Sequence, residues 1–546
     1  MTELFDRHRP MLDAALAAMR TRECWSPFPE TPSGKIYGDS ARAEGAAAFE
    51  ALMGKPFDLP GHPEARKLGA EVSPFGPELG ITYPAAPVES LIAAAEAARP
   101  ALASAGIEAR TGICLEALAR LNAMSFAMAN AVMHTTGQAF AMAFQAGGPH
   151  AQDRGLEAVA MAWDEMTRFA ADARWEKPQG KAAPIVLEKH WRIVPVGLSL
   201  AIGCNTFPTW NSYSGIFASL ATGNPVIVKP HPAAILPLAL SVRVLRAVLA
   251  EAGLPADAVL LAVDLSGAEI TRDLATRPEV KLIDYTGSNT FGGWLRATAT
   301  QARIFTEEAG VNTITIGGTD DFDGMCANIA FSLALYSGQM CTAPQNIYVP
   351  EAGIDTDQGH KSFDDVATGI AAAVDGLLAD PARAAGVLGA IANPATVERA
   401  AKARGLGRIL RDTTIDGRLA SPLILAVTDG DPACDEECFG PITFVVAVKD
   451  TDTGIARAAD LARRKGAITA ALYDTDEERI TRAIDSFAQA GVNLSINLTG
   501  NIYVNQSAAF SDFHVTGANP AGNASLTDTA FVTPRFRRVM WRRPVH

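Results

Sequence analysis

The sequence has no excess of basic charge. Lysine and arginine total 47 against 60 aspartate and glutamate residues, so the formal net charge is −13 over 546 residues. Because nucleic-acid binding depends on cationic groups that neutralise phosphates, this balance argues against a nucleic-acid partner. Apolar residues make up 48% of the chain and charged residues 20%, which excludes a disordered protein and is typical of a soluble globular one.

A long apolar run is also missing. The stretch "ALARLNAMSFAMANAVM" comes nearest, but Arg120, Asn122 and Asn130 interrupt it, whereas a membrane-spanning helix needs about 20 predominantly apolar residues. The first residues, "MTELFDRHRP", carry charges of both signs and lack the basic-then-apolar pattern of a signal peptide. These absences predict a cytoplasmic protein with no membrane partner.

Cysteine is scarce, with seven residues in the whole chain. An odd number in a large chain that is not predicted to be secreted argues against a disulfide framework. Cys434 and Cys438 form a pair in "CDEEC", but no CxxC partner or nearby histidine completes a set of ligands, so no metal site is predicted. A free cysteine is usually a small buried apolar residue, and that interpretation is the default for each of them.

The length of 546 residues exceeds what one hydrophobic core supports, so more than one domain is expected. Residues 1–175 are rich in alanine, leucine and methionine at helical spacing and predict a helical part. From about residue 185, apolar strands such as "VGLSLAIGC" and "VKLIDYTG" alternate with helices, and the alternation returns after Cys341. This pattern predicts an α/β protein with two doubly wound, Rossmann-like lobes, whose ligands bind beyond the carboxyl ends of the strands.

Short polar motifs follow the ends of these elements in a definite order. They are "IGCNTFPTW", "ATGNPVIVKPHP", "DYTGSNTFGG", "IFTEEAGVN" and "SGQMCTA". Each is weak alone, but together they resemble the aldehyde dehydrogenase superfamily, clearly from Val196 to Pro441 and more loosely over most of the chain. The resemblance implies oxidation of an aldehyde by a homodimer or homotetramer that uses a nicotinamide cofactor.

The resemblance also implies a division of the chain. The expected parts are a helical N-terminal part (1–175), oligomerisation strands (176–196), an NAD(P)-binding domain (197–335), a catalytic domain (336–495), and a tail with the substrate entrance and an oligomerisation strand (496–546). The two α/β lobes therefore carry a helical N-terminal segment and a small β oligomerisation extension.

Cys341 is the expected nucleophile. It lies on the connection between a helical stretch and a strand, where catalytic groups are common. A thiolate that adds to an aldehyde carbonyl creates the tetrahedral adduct from which a hydride can leave. The "GQxC" pattern of the family falls on Cys341, so the resemblance replaces the apolar interpretation for this cysteine alone.

The resemblance assigns two helpers to the nucleophile. Asn205, in "CNTFP", takes the place of the family's oxyanion donor, with a turn-forming asparagine as the alternative. Aligning "TEEAGVN" with the family's "LELGGKN" selects Glu307 as the base that activates water. Glu308 points the opposite way in an extended segment, and a shift of one residue would exchange the two, so Glu308 stays the alternative.

The predicted cofactor site begins with "TGSNTFGG", which looks like the family's pyrophosphate turn through Gly287, Ser288 and Gly292. Lys229 matches the lysine that reaches the adenosine ribose. Three residues later, where NAD-preferring members often have a glutamate, this chain has Pro232. Without that carboxylate, Lys229 can pair with a 2′-phosphate, so NADP is predicted and NAD is the alternative.

The motif "EECFGP" matches the family's "EEIFGP". It places Glu437 on the nicotinamide ribose and Phe439 against the nicotinamide ring. Core packing is the alternative for Phe439.

The N-terminus, "TEEAGVN" and the tail resemble one branch of the superfamily, that of the phenylacetic acid degradation protein PaaN and ring-cleavage semialdehyde dehydrogenases. The branch implies a ring-cleavage semialdehyde, possibly a CoA thioester, in aerobic degradation of aromatic acids. A CoA-acylating dehydrogenase and a catalytically silent, cofactor-binding partner subunit remain the alternatives. The basic tail "RFRRVMWRRPVH" could meet CoA phosphates, or could be an interface strand paired with "IVLEKHWRIVPVG".

Overall fold

The computed structural model describes residues 2–308, 310–413, 415–416, 419–500, 502 and 529–545. Its N-terminal part is mostly helical, as the alanine-rich sequence predicts, with a short antiparallel strand pair inside it. The elements are α1 (Thr2–Thr21), α2 (Gly34–Tyr37), α3 (Ala41–Glu50), β1 (Arg66–Leu68), β2 (Tyr83–Ala85), α4 (Val88–Ser104), α5 (Ile107–Ala123), α6 (Ser125–Thr136), α7 (Phe140–Gly147) and α8 (Pro149–Thr167).

The chain then forms two long antiparallel strands before the first α/β lobe begins. From there, strands and helices alternate. The elements are β3 (Asp172–Gln179), β4 (Ala182–Pro195), β5 (Leu198–Ile202), α9 (Pro208–Ala221), β6 (Val226–Lys229), α10 (Leu236–Glu251), β7 (Val259–Leu261), α11 (Ile270–Thr276), β8 (Val280–Gly287), α12 (Asn289–Thr298) and β9 (Arg303–Glu308).

Strands β5 to β9 form a parallel sheet in the order β7-β6-β5-β8-β9. The residues of β5 and β6 are all buried, which explains why these strands are continuous apolar runs rather than alternating ones. From β5 the chain builds outward to β7 and then returns to the other side of β5 with β8. This reversal opens a crevice at the carboxyl edge of the sheet, the usual ligand position in such folds.

The second lobe follows without a linker. Its elements are β10 (Asn312–Ile316), β11 (Gly318–Thr319), α13 (Phe322–Ala334), β12 (Pro344–Pro350), β13 (Ile354–Thr356), β14 (Gly359–Lys361), α14 (Phe363–Leu378), α15 (Pro381–Val387), α16 (Pro394–Ala403), β15 (Arg408–Arg411), β16 (Ile415–Asp416), β17 (Leu419–Ala420), β18 (Leu423–Thr428), β19 (Ile442–Val448), α17 (Thr451–Lys465), β20 (Thr469–Tyr473), α18 (Glu477–Ala490) and β21 (Asn493–Ile496).

The main sheet of this lobe has the order β15-β18-β19-β12-β10-β20-β21 and is parallel except for β15. The predicted fold class, with two parallel-sheet lobes behind a helical N-terminal part, is confirmed. The second sheet starts at β10, whereas the sequence places the start of the catalytic domain at residue 336. The sequence boundary falls later because no proline- or glycine-rich linker marks the change of sheet.

The described end of the chain returns to the first lobe. Its helix α19 (Thr529–Val532) is followed by β22 (Phe536–Pro544), which pairs antiparallel with β4, and the resulting sheet has the order β22-β4-β3. The tail predicted to form the substrate entrance lies largely outside the described residues, at 503–528. Short 3-10 helical turns lie at Ala256–Ala258, Leu335–Gly338, Pro432–Asp435 and Thr533–Arg535.

Arg535 fastens this tail to the first lobe. Its guanidinium is fully buried and forms a two-pronged ion pair with Asp284 on β8, with N···O distances of 2.5 and 2.9 Å. Arg535 is therefore unavailable to a CoA phosphate, contrary to the idea that the basic tail acts as one phosphate-binding strip. Arg543 likewise pairs with Glu188 across the β22–β4 contact.

Within the described part of the chain, no helix combines the length and apolar character needed to cross a membrane.

Candidate active site

Cys341 follows a turn of unusual backbone conformation. Tyr336, Ser337 and Gly338 have φ angles of 52°, 53° and 65°, in the left-handed region that non-glycine residues rarely adopt. A Cβ atom on Gly338 would lie 2.5 Å from the carbonyl oxygen of Gly440. The turn can therefore approach the "FGP" loop only because position 338 is glycine. Such backbone strain persists only where surrounding contacts enforce it.

Those contacts come from distant parts of the chain. The Tyr336 hydroxyl donates to the carbonyl of Thr136 at the end of α6. The Ser337 hydroxyl donates to the carbonyl of Gly389 at 2.9 Å, and Gln339 Nε2 donates to the carbonyl of Ala390 at 3.1 Å. The turn before the nucleophile is thus held by the N-terminal helical part and by the segment after α15.

Asn312 holds the backbone of Cys341 itself. Its Nδ2 donates to the carbonyls of Cys341 and Ala343, at 2.7 and 3.1 Å. Its Oδ1 accepts from the N–H groups of Ile468 and Thr469, at 2.9 and 3.0 Å. Asn312 is not among the residues predicted from the sequence, although it ends the motif "TEEAGVN" and that position is a usable signal.

The structure brings Cys341 and Glu307 together. Cys341 Sγ lies 3.5 Å from Glu307 Oε1, and Glu307 is 9% exposed at the end of β9. Burial raises the pKa of the Cys341 thiol well above its usual range, and the Glu307 carboxylate raises that pKa further because a thiolate would add a second negative charge. The resting pair is therefore a thiol hydrogen-bonded to a carboxylate that is placed to accept its proton.

Glu308 faces the other way. Its carboxylate pairs with Arg296 on α12, and a Cβ atom on Gly292 would collide with it. Gly292, predicted to belong to the pyrophosphate turn, is therefore placed against Glu308 inside the lobe, where its missing side chain lets β9 approach α12. Because side chains alternate along β9, the Glu307 carboxylate faces the Cys341 thiol and the Glu308 carboxylate faces helix α12.

Asn205 follows β5 at the same edge of the sheet. Its Oδ1 atom is buried and, within the described residues, has no hydrogen-bond partner. An unpaired Oδ1 can accept a hydrogen bond from a ligand, whereas an oxyanion would need the Nδ2 donor of the same amide. The adjacent Cys204, interpreted from sequence as an ordinary apolar cysteine, belongs to the same pocket. Burial raises the pKa of the Cys204 thiol to about 11, and the Glu307 carboxylate adds to that increase.

The predicted pyrophosphate turn lies at the crevice. Gly287 ends β8, and a Cβ atom there would collide with the Tyr285 hydroxyl. Ser288 is the N-cap of α12, and its Oγ accepts from the Phe291 N–H at 3.4 Å. Residues 288–290 are exposed, so the helix N-terminus, with its partial positive charge, faces solvent at the position that suits a phosphate.

Lys229 ends β6, the next strand outward from β5. Its ammonium is buried and lies 2.7 Å from the carboxylate of Asp264, which follows β7. The sequence analysis names Lys229 but not Asp264. Because the two residues are far apart in the chain, only the pairing of β6 with β7 reveals the contact.

Glu437 and Phe439 lie on the loop after Pro432–Asp435. The charge of Glu437 contributes to the raised pKa of Cys341, which places this loop near the thiol. Burial raises the pKa of Glu437 to about 7, opposed by the nearby Arg399 charge and by a hydrogen bond from Gly310 N–H. Arg399 also donates to the carbonyl of Phe439 at 2.5 Å.

Two side chains of β12 fix the same loop. Gln345 accepts from Cys438 N–H at 2.6 Å and donates to the carbonyl of Glu436 at 2.9 Å. Asn346 donates to the carbonyl of Cys434 at 2.8 Å. Neither residue is among those predicted from the sequence. Their signal is the placement of two amides inside the otherwise apolar strand "APQNIYVP", since buried amides need partners.

A nicotinamide dinucleotide fits this set of residues. The exposed N-terminus of α12 would suit the pyrophosphate. Lys229, Glu437 and the pair of Cys341 with Glu307 are the residues that would be available to the two riboses and the nicotinamide. Within the described residues, no group of three or more His, Cys, Asp or Glu side chains is arranged to hold a metal ion. The fold and these residues are typical of a dinucleotide-dependent oxidoreductase, with a thiol as its candidate nucleophile.

Comparison with known proteins gives the family. The pattern of the aldehyde dehydrogenase family matches residues 78–523. A solved structure of an NAD-dependent aldehyde dehydrogenase from Burkholderia multivorans is 53% identical, superposes with a TM-score of 0.98, and the match covers 99% of each chain. This chain therefore belongs to the aldehyde dehydrogenase family, whose members are NAD(P)-dependent oxidoreductases.

Curated relatives are more distant. An N-succinylglutamate 5-semialdehyde dehydrogenase from Burkholderia vietnamiensis is 29% identical over 393 residues, 70% of this chain and 76% of that protein. A 1-pyrroline-5-carboxylate dehydrogenase from Bacillus subtilis is 25% identical over 369 residues, 64% of this chain and 65% of that protein.

Proposed function

We propose that this protein oxidises a semialdehyde to the carboxylic acid, with a nicotinamide cofactor and a covalent thioester on Cys341. The observation that carries the proposal is the 3.5 Å contact between Cys341 Sγ and Glu307 Oε1 at the carboxyl edge of the first sheet. A buried thiol of raised pKa needs a base at contact distance to become a nucleophile at neutral pH, and Glu307 is that base.

In the first half of the reaction, Glu307 takes the thiol proton and Cys341 Sγ forms a bond to the aldehyde carbon. The carbonyl oxygen becomes an alkoxide, and the Asn205 amide and the Cys341 backbone N–H are the donors proposed to stabilise it. One such donor contributes about 3 kcal/mol to the transition state. When bound, the nicotinamide accepts the hydride from the former aldehyde carbon, which leaves a thioester on Cys341.

In the second half, water replaces the sulfur. Glu307 first releases to solvent the proton that it took from the thiol. Its carboxylate then accepts a proton from a water molecule as the water oxygen attacks the thioester carbon, the bond between carbon and Cys341 Sγ breaks, and Sγ takes that proton from Glu307. The products are the carboxylic acid and the regenerated thiol. The same carboxylate serves both halves, which a single Glu307 in contact with the thiol permits.

For the substrate, we propose a ring-cleavage semialdehyde, including a CoA-linked one, from aerobic degradation of aromatic acids. Two curated relatives carry names of semialdehyde or cyclised-semialdehyde substrates, and this supports the semialdehyde class. The ring-cleavage and phenylacetate assignment depends on the sequence resemblance to the PaaN branch.

The cofactor is NAD or NADP. Pro232, in place of a carboxylate, favours NADP, whereas the 53% identical relative is described as NAD-dependent. We place the protein in the cytoplasm as a homodimer or homotetramer that associates through the β22-β4-β3 sheet. Val539 and Trp541 are exposed on one face of this sheet and Trp175 on the other. They support that role, because exposed apolar side chains mark association surfaces.

The test is a panel of aldehydes, including CoA-linked semialdehydes, with reduced cofactor measured by absorbance and products identified with and without added CoA. We expect free acid as the product in both cases, and C341A to lose turnover by about 10⁴-fold while still binding cofactor. C24A, at an exposed cysteine, is the matched control and should keep full turnover. An acyl-CoA product formed only with added CoA would replace hydrolysis by CoA acylation. Retained turnover in C341A would remove the proposed nucleophile.

A further inference from the structure

The carboxyl edge of the first sheet holds a buried ion pair that the proposed chemistry does not use. Lys229 ends β6 and Asp264 follows β7, and these strands run side by side with Val228 opposite Leu261. Lys229 Nζ lies 2.7 Å from Asp264 Oδ1, with side-chain exposures of 3% and 6%. Lys229 Nζ also donates to the carbonyl of Pro230 at 2.8 Å.

The pair changes the charge that this edge offers a ligand. Lys229 alone would present one positive charge, but together with Asp264 the site is close to neutral. Burial lowers the pKa of the Lys229 ammonium, and the Asp264 carboxylate opposes that shift. Each carboxylate oxygen has two lone pairs, so Asp264 can accept a hydrogen bond from a ligand while it faces Lys229.

The order of the sheet determines which part of a dinucleotide meets this pair. Cys341 and Glu307 lie at the β9 end, the phosphate-suited N-terminus of α12 follows β8, and Lys229 with Asp264 lies at the β6–β7 end. A dinucleotide with its pyrophosphate at α12 and its nicotinamide near Cys341 therefore extends its adenosine half toward Asp264.

We propose that Asp264 sets the cofactor preference of this protein, by accepting a hydrogen bond from the 2′-hydroxyl of the adenosine ribose and repelling a 2′-phosphate. The inference rests on the proposed function, since it takes the cofactor to be a nicotinamide dinucleotide. A carboxylate at the ribose is a general device of dinucleotide-binding sheets. Pro232, which follows β6, provides no carboxylate for the ribose. Asp264, which follows β7, provides one. This proposal predicts a preference for NAD, where Pro232 alone predicts NADP.

Direct binding of NAD and NADP to the full-length protein, measured by calorimetry without aldehyde, tests the inference. The wild-type protein should bind NAD at least about tenfold more tightly than NADP, since repulsion between the carboxylate and the 2′-phosphate opposes NADP alone. D264N removes the charge and keeps the shape, so NADP should bind at least about tenfold more tightly to D264N than to wild type. D273N, at a partly exposed aspartate on α11, is the matched control and should leave both affinities unchanged.

Tighter binding of NADP than NAD by the wild-type protein would overturn the inference, and this comparison needs no variant. An unchanged ratio of affinities in folded D264N would overturn it as well. If D264N does not fold, D264S provides a second neutral residue, and the thermal midpoint of each variant monitors folding. Failure of the wild-type protein to bind either dinucleotide would instead count against the proposed oxidoreductase function.

Discussion

The two sides of the candidate site are built differently. On the side of the first lobe, where the cofactor is proposed to bind, each group lies at or shortly after the end of its own strand: Asn205 follows β5, Lys229 ends β6 and Ser288 follows β8. On the catalytic side, Cys341 follows a left-handed turn whose conformation depends on hydrogen bonds to distant segments. One of these bonds joins Tyr336 to a carbonyl 200 residues earlier in the chain.

The difference shows what fixes the positions of the functional side chains on each side of the site. Hydrogen bonds between adjacent parallel strands fix the positions of their carboxyl ends, so side chains placed there come together with little further support. A strained turn needs bonds from outside itself, and here they come from the N-terminal helical part, from the segment after α15 and from Asn312 on β10. Substitutions at the supports of the turn should therefore cost more than substitutions along the edge.

The largest effect is expected for G338A. The alanine must adopt a left-handed φ of 65° and place its Cβ 2.5 Å from a carbonyl oxygen. Together these should lower the free energy of unfolding by about 2–5 kcal/mol and reduce kcat by displacing Cys341. Denaturant unfolding and steady-state kinetics give the two values. The control is G376A within α14, where a Cβ meets no atom within 4 Å, so that variant should be neutral or more stable. Equal behaviour of the two variants would show that the turn is not strained.

A second comparison separates the neighbouring carboxylates of β9. E307Q should lower kcat by about 100-fold or more, because an amide cannot accept the thiol or water proton. E308Q should keep most of its kcat and lose about 1–3 kcal/mol of stability, since a neutral amide replaces the buried Glu308 carboxylate and its ion pair with the half-exposed Arg296 is lost. Pre-steady-state kinetics and thermal unfolding distinguish the outcomes. The roles are exchanged if E308Q is the variant that stops turnover.

The sequence predicts the strand ends of the first lobe well, and the contacts that support the turn before Cys341 poorly. Strand ends carry local signals, so β5 to β8 and the positions of Lys229 and Ser288 follow from alternation and motif order. Cys341 and Glu307 also emerge, because their motifs match a family. The supports do not emerge. Gln345, Asn312 and Asp264 act through partners that are distant in the chain, and no periodicity encodes which strand will lie beside which.

The boundary between the two lobes is also hard to predict from the sequence, because no linker separates them. Strand β10 and helix α13 precede the nucleophile in the chain and pack in the second lobe. A boundary derived from composition follows proline and glycine, whereas the change of sheet depends on which strands pair.

A smaller effect is expected for Q345A. The substitution removes two hydrogen bonds to the loop that carries Glu437, with distances of 2.6 and 2.9 Å. The loop should loosen and weaken cofactor binding by about tenfold, with kcat at saturating cofactor largely kept. The dissociation constant and the KM for the cofactor are the measurements, and Q358A, on the turn between β13 and β14, is the control. If cofactor affinity is unchanged, the β12 amides do not position the loop.

The smallest effect is a pH dependence that comes from Glu437, whose pKa burial raises to about 7. Below pH 7 the carboxyl is protonated and accepts hydrogen bonds from ribose hydroxyl groups less well, so cofactor affinity should fall by about threefold to tenfold between pH 8 and pH 6.

The effect of the same proton on the free energy of unfolding has the opposite sign. The native state keeps this proton at pH values where the unfolded chain, with a pKa of 4.5, has lost it, so Glu437 lowers stability as the pH rises from 4.5 to 7. E437Q should flatten both profiles. If the affinity profile of E437Q matched that of the wild-type protein, the dependence would belong to another group, and the loop of the catalytic lobe would not complete the cofactor site.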